Sequence, residues 1–340
     1  MRARWAAPLI LGGMACAPNS GPSALHIFEG PTMGTHFSVK VVANELDDGQ
    51  LATIQALIEN ALANVDEKMS TYRSESELSR FNNSQTTEPF SLSAETVEVF
   101  QHALDISELT EGAFDVTVGP LVEAWGFGPL GEPSAFPSEH EIARLQAQVG
   151  YSQLKVDVAS STVSKSNPML LSDLSALAKG YAVDQVSELL EAEGFDSFLI
   201  EVGGEVRTMG HSERGDVWRV GIERPGLGSV EVHRLVYLHN LSLATSGDYR
   251  NYYELDGQRV SHTIDPRTGR PVSHGLTSVS VIEPLCVRAD AIATALGVLG
   301  PDHGFSLALE QGWAALLIER GEDGKLRERE TPAFAALTLE

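Results

Sequence analysis

A run of short strands with no helix between them, in the second half of the chain, constrains the fold most. The residue pattern predicts strands over 217–223, 231–239, 249–255, 258–264 and 276–282. Asp256-Gly257, between two of these strands, is a strong signal for a two-residue hairpin turn. Hairpin-connected strands pair antiparallel, whereas parallel strands need a long crossover connection. The sequence therefore predicts an α+β protein with mixed, largely antiparallel sheets and packed helices, rather than a doubly wound sheet.

Amphipathic helices are predicted on both sides of this run. Apolar residues recur every three or four positions over 51–65, and helices are also expected over 93–110, 138–148, 175–193, 288–300 and 304–311. Further strands are predicted around a Gly30-Pro31 turn within 25–43, on both sides of the 175–193 helix, and over 313–320. The segment 112–129 is predicted as mixed strand and turn. The change of pattern near 150 marks a candidate sub-boundary inside one domain that spans 25–330.

One carboxylate interrupts an apolar helical run, RADAIATALGVLG (288–300). Asp290 and Thr294 are four residues apart, so both side chains lie on one helix face, and Gly297 leaves space there. Burying an unpaired carboxylate is costly, so Asp290 should be exposed, paired or bound to a metal. Two oxygen ligands suit a hard cation such as Mg²⁺. Alternatively, Asp290 only complements the helix dipole and Thr294 is merely packed.

Two glycine-containing segments are candidates for ligand binding. Ala178, Lys179 and Gly180 lie near a predicted helix N-terminus, where N–H groups and the lysine charge attract phosphate. The alternative is a surface lysine beside a packing glycine. The paired glycines of VGGEVRTMG (202–210) allow close approach of the backbone to a ligand, or form a bulge without one.

His262 is the candidate general base. It lies at the end of a predicted strand in SHTIDPRTGRP (261–271), before the Asp265-Pro266 turn. A hydrogen-bonded structural histidine is the alternative. The polar turn TSGDYRNY (245–252) is expected near the same cleft. The sequence has no G-x-S-x-G elbow and no Rossmann fingerprint, so the residues alone predict a metal and phosphate site and no particular reaction.

The N-terminus has the pattern of an export signal. Arg2 and Arg4 precede a short apolar run over 6–15, which is too short to span a bilayer, and Cys16 follows directly. This pattern predicts a lipoprotein-type signal peptide over 1–16, a lipid on Cys16 and a flexible tether over 17–24. An ordinary signal peptide with an incidental cysteine is the alternative. We expect an exported protein of the bacterial cell envelope, anchored by lipid to the membrane on its periplasmic side.

The charge of the chain disfavours one class of partner. Acidic residues outnumber basic ones 47 to 24, for a net charge of −23. Such an excess repels phosphate backbones, so we expect no nucleic-acid partner. Cys286, the second of the two cysteines, is predicted to be a small buried apolar residue.

Seven segments of the chain match, in order, the motifs of a known family. They are TMGT (32–35), MSTYRSESELSRFN (69–82), GAFDVTVGPLV (112–122), DLSALAKGYAVD (173–184), EVGGEVR (201–207), TSGDYRNYYELDGQRVSHTIDPRTGRPV (245–272) and ADAIATAL (289–296). Together they resemble the ApbE-type FAD:protein FMN transferases, over about 27–320. The resemblance implies an ApbE-like (T-fold-like) architecture. It also implies a Mg²⁺-dependent enzyme that moves the FMN half of FAD onto a threonine hydroxyl of a target protein, through a phosphoester bond, and releases AMP. Membrane subunits of sodium-pumping redox complexes are the kind of target implied.

The resemblance also assigns roles to individual residues. Asp290 and Thr294 would be Mg²⁺ ligands, together with a backbone carbonyl at Ala178. Catalysis would depend on Asp290 and on His262, the base for the incoming threonine. The positions that would line the FAD site are Met33, Tyr72, Arg73, Ser74, Asp115, Lys179, Tyr181, His262 and Thr263.

Two other functions remain open from the sequence. A Mg²⁺-dependent FAD pyrophosphatase would give FMN and AMP with water as acceptor, but transferase-type members resemble this chain in having a tyrosine at Tyr72. A non-catalytic FAD-binding lipoprotein would not need the set of Asp290, Thr294 and His262.

Overall fold

Short antiparallel strands make up the centre of the molecule. The structure is a computed structural model that describes residues 24–226, 231–247, 252–255, 257–321 and 323–338. Its strands are β1 (Ala24–Thr32), β2 (Thr35–Ala43), β3 (Phe90–Ser91), β4 (Leu154–Asp157), β5 (Thr162–Lys165), β6 (Phe198–Val202), β7 (Glu205–Met209), β8 (Trp218–Glu223), β9 (Val232–Leu238), β10 (Ser242–Gly247), β11 (Tyr252–Leu255), β12 (Gln258–Ser261), β13 (Ile264–Asp265), β14 (Arg270–Pro271), β15 (Leu276–Glu283), β16 (Ala314–Arg320) and β17 (Leu326–Glu330).

The helices lie between these strands and begin at recognisable caps. They are α1 (Asp48–Met69), α2 (Glu77–Asn83), α3 (Ala94–Leu109), α4 (Gly119–Ala124), α5 (Glu139–Gln146), α6 (Ser175–Ala192), α7 (Cys286–Gln311) and α8 (Pro332–Ala335), with short 3₁₀ turns at Val116–Val118 and Tyr151–Gln153. Asp47 and Gln50 form a capping box on α1, and Ser93 caps α3. Gly300 interrupts α7 with a φ of 79°, just before Pro301.

The largest sheet has eight strands in the order β1-β2-β6-β7-β10-β15-β16-β17, and every neighbouring pair is antiparallel. Alternate residues of its strands point to opposite faces. On β16, Ala315 and Leu317 join the main core with α6 and α7, while Leu316 and Ile318 join a second cluster under β8, β9 and α8. Both faces of this sheet are therefore covered, which explains the nearly continuous apolar run of β16.

A third, smaller apolar cluster packs beside the main core. It joins α4 and α5 to β11, β12 and β13 through Leu121, Ile142, Tyr253, Val260 and Ile264, with Trp125 at the end of α4. The Tyr253 hydroxyl donates to the Trp125 carbonyl at 2.9 Å. This cluster holds in place the chain segment that carries His262.

The predicted α+β class is confirmed, and so are several individual elements. The helices expected over 93–110, 138–148 and 175–193 are present as α3, α5 and α6. The hairpin expected at Asp256-Gly257 is present, because β11 and β12 pair from Leu255 and Gln258 outward, although Asp256 itself lies outside the described residues. Residues on both sides of 150 share the main core.

Several local predictions are wrong. The first turn is at Met33-Gly34 rather than Gly30-Pro31, because both turn residues adopt a positive φ, of 46° and 73°, as a tight hairpin requires. The segment 112–129 contains a 3₁₀ turn and α4 instead of a strand, with Pro120 in the first turn of α4. The strand expected before α6 is absent, since residues 168–172 form no ladder in the described structure.

The predicted signal peptide over 1–16, with Cys16, lies outside the described residues, as does the tether over 17–24 apart from Ala24, the first residue of β1. Within the part of the chain that the structure describes, no helix is both long and apolar enough to cross a bilayer.

Candidate active site

A cavity of about 850 Å³ lies between the main core and the third cluster. This is a size typical of sites for small molecules and cofactors. The structure brings most of the predicted site residues to its wall: Met33, Tyr72, Arg73, Asp115, Ala178, Lys179, His262, Thr263, Asp290 and Thr294. Segments distant in sequence therefore converge on one site.

Two predicted residues do not line this cavity. The Tyr181 side chain is buried in the core, and its hydroxyl donates to Glu98 Oε2 at 3.2 Å. Tyr181 lies two residues beyond Lys179 on α6, so its side chain points away from the one that faces the cavity. Ser74 follows Arg73 in an exposed loop, and its hydroxyl donates to Glu75 at 3.4 Å.

Asp290 is buried on α7, and its side chain is nevertheless partnered. Its Oδ2 accepts a hydrogen bond from the Gly180 backbone N–H at 3.1 Å and lies 3.8 Å from Lys179 Nζ. Burial raises the pKa of the Asp290 carboxyl, whereas Lys179 and the Gly180 N–H oppose the increase. Because Thr294 follows one turn later and also lines the cavity, a carboxylate and a hydroxyl face the same space.

The position of Asp290 depends on how α7 begins. Leu285, at the N-cap, offers α7 no side-chain acceptor. Asp184 of α6 supplies one instead: its carboxylate accepts the N–H groups of Cys286 and Val287 at 3.0 and 2.9 Å, and it also pairs with Arg207. A buried carboxylate from a neighbouring helix thus caps α7 and complements its dipole.

Lys179 lies between two buried carboxylates. Its Nζ is 2.7 Å from Glu205 Oε1 and 3.8 Å from Asp290 Oδ2. Burial lowers the pKa of the Lys179 ammonium, but Asp290 and Glu205 outweigh it, so that this pKa lies above its ordinary value. Burial raises the pKa of the Glu205 carboxyl, Lys179 opposes this effect and Asp290 adds to it. The raised Glu205 pKa is about 8. With Asp290 ionised, the three groups carry no net charge when Glu205 is protonated and one negative charge when it is ionised, and the ionised state favours binding of a cation.

His262 also lines the cavity, just after β12. Its ring is 6.2 Å from the Phe127 ring in an edge-to-face arrangement. The next residue, Thr263, donates its backbone N–H to Ser261 Oγ at 3.2 Å and accepts from the Val272 N–H at 3.0 Å. His262 thus lies on a braced segment and lines the same cavity as Lys179 and Asp290; a general base needs such a fixed position.

Asp115 acts mainly as a local brace. Its Oδ1 accepts from the Thr117 backbone N–H and hydroxyl at 2.8 and 2.7 Å, and its Oδ2 accepts from the Tyr151 N–H at 2.7 Å. Burial raises the pKa of Asp115, and these hydrogen bonds oppose that rise. The carboxylate therefore fixes the turn that leads into α4 at the cavity wall.

Tyr72 and Arg73 form the outer edge of the cavity. Tyr72 is 70% exposed, an unusual state for a large aromatic side chain in a structured segment. Arg73 pairs with Asp66 at 3.0 Å. An exposed ring beside a cavity offers a surface on which a planar ligand can stack.

The donor set fits a magnesium ion better than a transition metal. The described residues contain no group of three or more His, Cys, Asp or Glu side chains that could hold a metal. Asp290 and Thr294 offer one carboxylate and one hydroxyl, beside the backbone at Ala178. Mg²⁺ is commonly held by one or two carboxylates together with waters and substrate phosphates, so this small set suits it when a phosphate ligand is present.

Sequence reasoning missed the roles of Glu205 and Asp184. Both are buried acidic residues, and each is paired with a cation from another element. In both cases the sequence offers a signal, which is an acidic residue in an apolar or glycine-rich context. Glu205 follows Gly203-Gly204 directly, and Asp184 lies on the apolar face of α6.

Comparison with known proteins agrees with this geometry. The ApbE family model matches residues 33–317. The FAD:protein FMN transferase of Vibrio cholerae serotype O1 is 42% identical over 296 residues, which cover 87% of this chain and 87% of that protein. The FAD:protein FMN transferase of Escherichia coli K12 is 38% identical over 317 residues, which cover 91% of this chain and 90% of that protein.

Solved structures show the same fold. The flavin transferase ApbE of Vibrio cholerae superimposes with a TM-score of 0.84 at 38% identity, covering 93% of this chain and 100% of that chain. The apo form of the flavinyl transferase ApbE of Pseudomonas stutzeri also gives a TM-score of 0.84, at 37% identity, covering 93% of this chain and 97% of that chain.

Proposed function

This chain belongs to the ApbE family, and we propose from that premise that it is a FAD:protein FMN transferase. FAD is the substrate, and a threonine hydroxyl of a target protein is the acceptor. The observation that carries the proposal is the convergence of Asp290, Thr294, Lys179 and His262 on the lining of one cavity. The residues proposed to bind a pyrophosphate therefore line the same cavity as the proposed general base.

The chain's own residues account for binding of the substrate. Lys179 provides an ammonium for the phosphate oxygens, and the exposed ring of Tyr72 provides a stacking surface for one ring system of FAD. Asp290, Thr294 and the carbonyl of Ala178 would hold Mg²⁺. When bound, Mg²⁺ offsets the charge of the pyrophosphate oxygens.

The proposed reaction is a single phosphoryl transfer. His262 accepts the proton of the threonine hydroxyl, because a neutral hydroxyl is a poor nucleophile. The threonine oxygen then bonds to the phosphorus of the FMN half, and the bond between that phosphorus and the bridging oxygen breaks. AMP leaves with the bonding electron pair and the bridging oxygen. The products are a phosphoester on the target and free AMP.

The acceptor and the location of the protein are further parts of the proposal. The acceptors are threonine-bearing proteins, such as membrane subunits of redox complexes, and the chain lies in the cell envelope with a lipid on Cys16. The support is the N-terminal residue pattern together with the family membership. Such a position would place the cavity near membrane-bound acceptors.

The test is the transfer of flavin onto an acceptor. The full chain is incubated with FAD, Mg²⁺ and a threonine-bearing redox subunit, and the denatured products are separated on a gel. We expect flavin fluorescence on the acceptor band, lost with EDTA and lost when the acceptor threonine is changed to alanine. FMN and AMP in solution with an unlabelled acceptor would identify a pyrophosphatase instead.

A further inference from the structure

Glu205 is a buried carboxylate in the cavity wall, and the proposed reaction assigns it no step. It is the first residue of β7 and is only 2% exposed. Its Oε1 lies 2.7 Å from Lys179 Nζ, while its buried Oε2 has no hydrogen-bond partner among the described residues. Burying a carboxylate this deeply costs folding free energy unless its charge is compensated, so we expect its contact with Lys179 to have a function.

The hairpin that carries Glu205 turns beside Lys179. Gly203, at the turn between β6 and β7, has a φ of +60° and lines the cavity. A Cβ at Gly203 would lie 2.8 Å from Thr35 Cγ2 and 3.4 Å from Lys179 Cδ. The tight contact at Gly203 is therefore with Thr35 of β2, whereas Lys179 Cδ lies at an ordinary contact distance. Glu205 binds the Lys179 ammonium.

The same ammonium is a potential competitor of the metal. Lys179 Nζ is 3.8 Å from Asp290 Oδ2, against 2.7 Å from Glu205 Oε1. An ammonium beside two buried carboxylates pairs with the one that keeps its charge. Without the Glu205 charge, only Asp290 would remain, and a close Lys179–Asp290 pair would occupy the carboxylate expected to bind Mg²⁺.

We propose that Glu205 is a positioning residue that holds the Lys179 ammonium away from Asp290 and so keeps this carboxylate open to Mg²⁺. The inference rests on the proposed function, which assigns Asp290 to the metal. It also gives a role to the EVGGEVR segment, whose Glu205 binds the Lys179 ammonium.

The experiment measures binding of Mn²⁺, as a substitute for Mg²⁺, to the full chain without FAD, by the loss of the free-ion signal in electron paramagnetic resonance. The variants are Glu205→Gln, Lys179→Met and the double variant. Glu188→Gln, on the exposed part of α6, serves as control for the lost charge. Circular dichroism and thermal unfolding check that each variant is folded.

We expect Glu205→Gln to raise the Kd for Mn²⁺ about 10- to 100-fold, a loss of the size seen when the surroundings of a metal ligand change, because the Lys179 ammonium then competes for Asp290. In the Lys179→Met background the same change should raise the Kd less than about threefold, because the competing ammonium is gone. An equal rise of the Kd for Mn²⁺ in both backgrounds would show that Glu205 acts only through its own charge, and would overturn the inference. So would an unchanged Kd in Glu205→Gln.

Two further variants make the result unambiguous. Lys179→Met alone should bind Mn²⁺ at least as tightly as the unaltered chain, and weaker binding would overturn the inference even if Glu205→Gln failed to fold. Asp290→Asn should lose Mn²⁺ binding. If the Asp290→Asn variant binds Mn²⁺ normally, Asp290 is not a metal ligand and the proposed function is wrong on this point. If Mn²⁺ binding is lost in Asp290→Asn and kept in Glu205→Gln, only the role of Glu205 is rejected.

Discussion

Gly180 of α6 and Cys286 of α7 approach so closely that a Cβ on Gly180 would lie 2.5 Å from the Cys286 carbonyl oxygen. The contact involves backbone atoms, so no side-chain rotation can relieve it. The same approach brings the Gly180 N–H to Asp290 Oδ2. The contact between the two helices therefore joins the segment that carries Lys179 to the segment that carries Asp290.

Gly180→Ala should separate the two helices. We expect the free energy of unfolding to fall by about 1–3 kcal/mol, because the added methyl group overpacks a rigid contact, and binding of Mn²⁺ to weaken in parallel. Urea denaturation and metal titration measure the two effects. Gly297→Ala is the matched control: a Cβ there would meet only Ser246 Oγ, at an ordinary 3.7 Å. Equal effects of the two substitutions would contradict this account of the helix contact.

Asp184→Asn should destabilise the start of α7. The change removes the charge that pairs with Arg207 and weakens the hydrogen bonds from the Cys286 and Val287 N–H groups. Breaking a buried charged pair that also caps a helix should cost about 2–4 kcal/mol of unfolding free energy. Denaturant unfolding measures this loss, and a cost as small as that of a surface substitution would show that α7 does not depend on Asp184.

Asp290→Ala should remove Mg²⁺-dependent turnover and leave the fold largely intact. Loss of a metal that contributes several kcal/mol to the transition state should lower turnover about 10³-fold. The fold should survive because the change also removes a buried charge. AMP release measured over a range of Mg²⁺ concentrations, beside circular dichroism, checks both parts. Ordinary turnover in this variant would exclude Asp290 from the metal site.

His262→Ala should slow transfer far more than it weakens FAD binding. Loss of a general base typically costs about 10²- to 10⁴-fold in rate. Single-turnover flavin transfer gives the rate, and quenching of flavin fluorescence gives the affinity for FAD. If both quantities fell by similar factors, His262 would be a binding residue and not the base.

Tyr72→Ala should weaken FAD binding through the loss of a stacking surface. Stacking of a base on an aromatic side chain contributes about 1–3 kcal/mol, so the Kd for FAD should rise about 5- to 150-fold. Tyr72→Phe keeps the ring and should keep the affinity. Because Tyr72 is exposed, neither change should alter the thermal unfolding temperature appreciably. An unchanged Kd in the alanine variant would remove Tyr72 from the FAD site.

Elements with strong local signals were predictable from the sequence. α1 begins at the Asp47 cap, and its apolar residues recur at helical spacing through Val65. β10 was missed because only Leu243 and Ala244 of its sequence, SLATSG, are apolar. The polar turn predicted over 245–252 is wrong for Thr245–Gly247, which are the end of this strand and pair with β15. Pairing with distant strands is a long-range effect that local propensity does not reveal.

In the candidate site, too, the local signals were predictable and the long-range contacts were not. Asp290 stood out because a carboxylate inside an apolar helix violates the local pattern. The contacts that compensate it come from Lys179 and Gly180, about 110 residues earlier in the chain, and only the packing of α6 on α7 reveals them. Tyr181 shows the reverse case, because its motif places it beside Lys179 whereas the helix turns its side chain into the core.

The most direct test of the proposed function is the ratio of AMP released to flavin bound covalently to an acceptor protein. The full chain is supplied with FAD and Mg²⁺, with and without a threonine-bearing redox subunit, and with EDTA in parallel. A transferase releases about one AMP for each FMN attached to the acceptor, and little AMP when acceptor or metal is missing. AMP release that continues without acceptor, or bound flavin with no AMP under any condition, would contradict the proposed function.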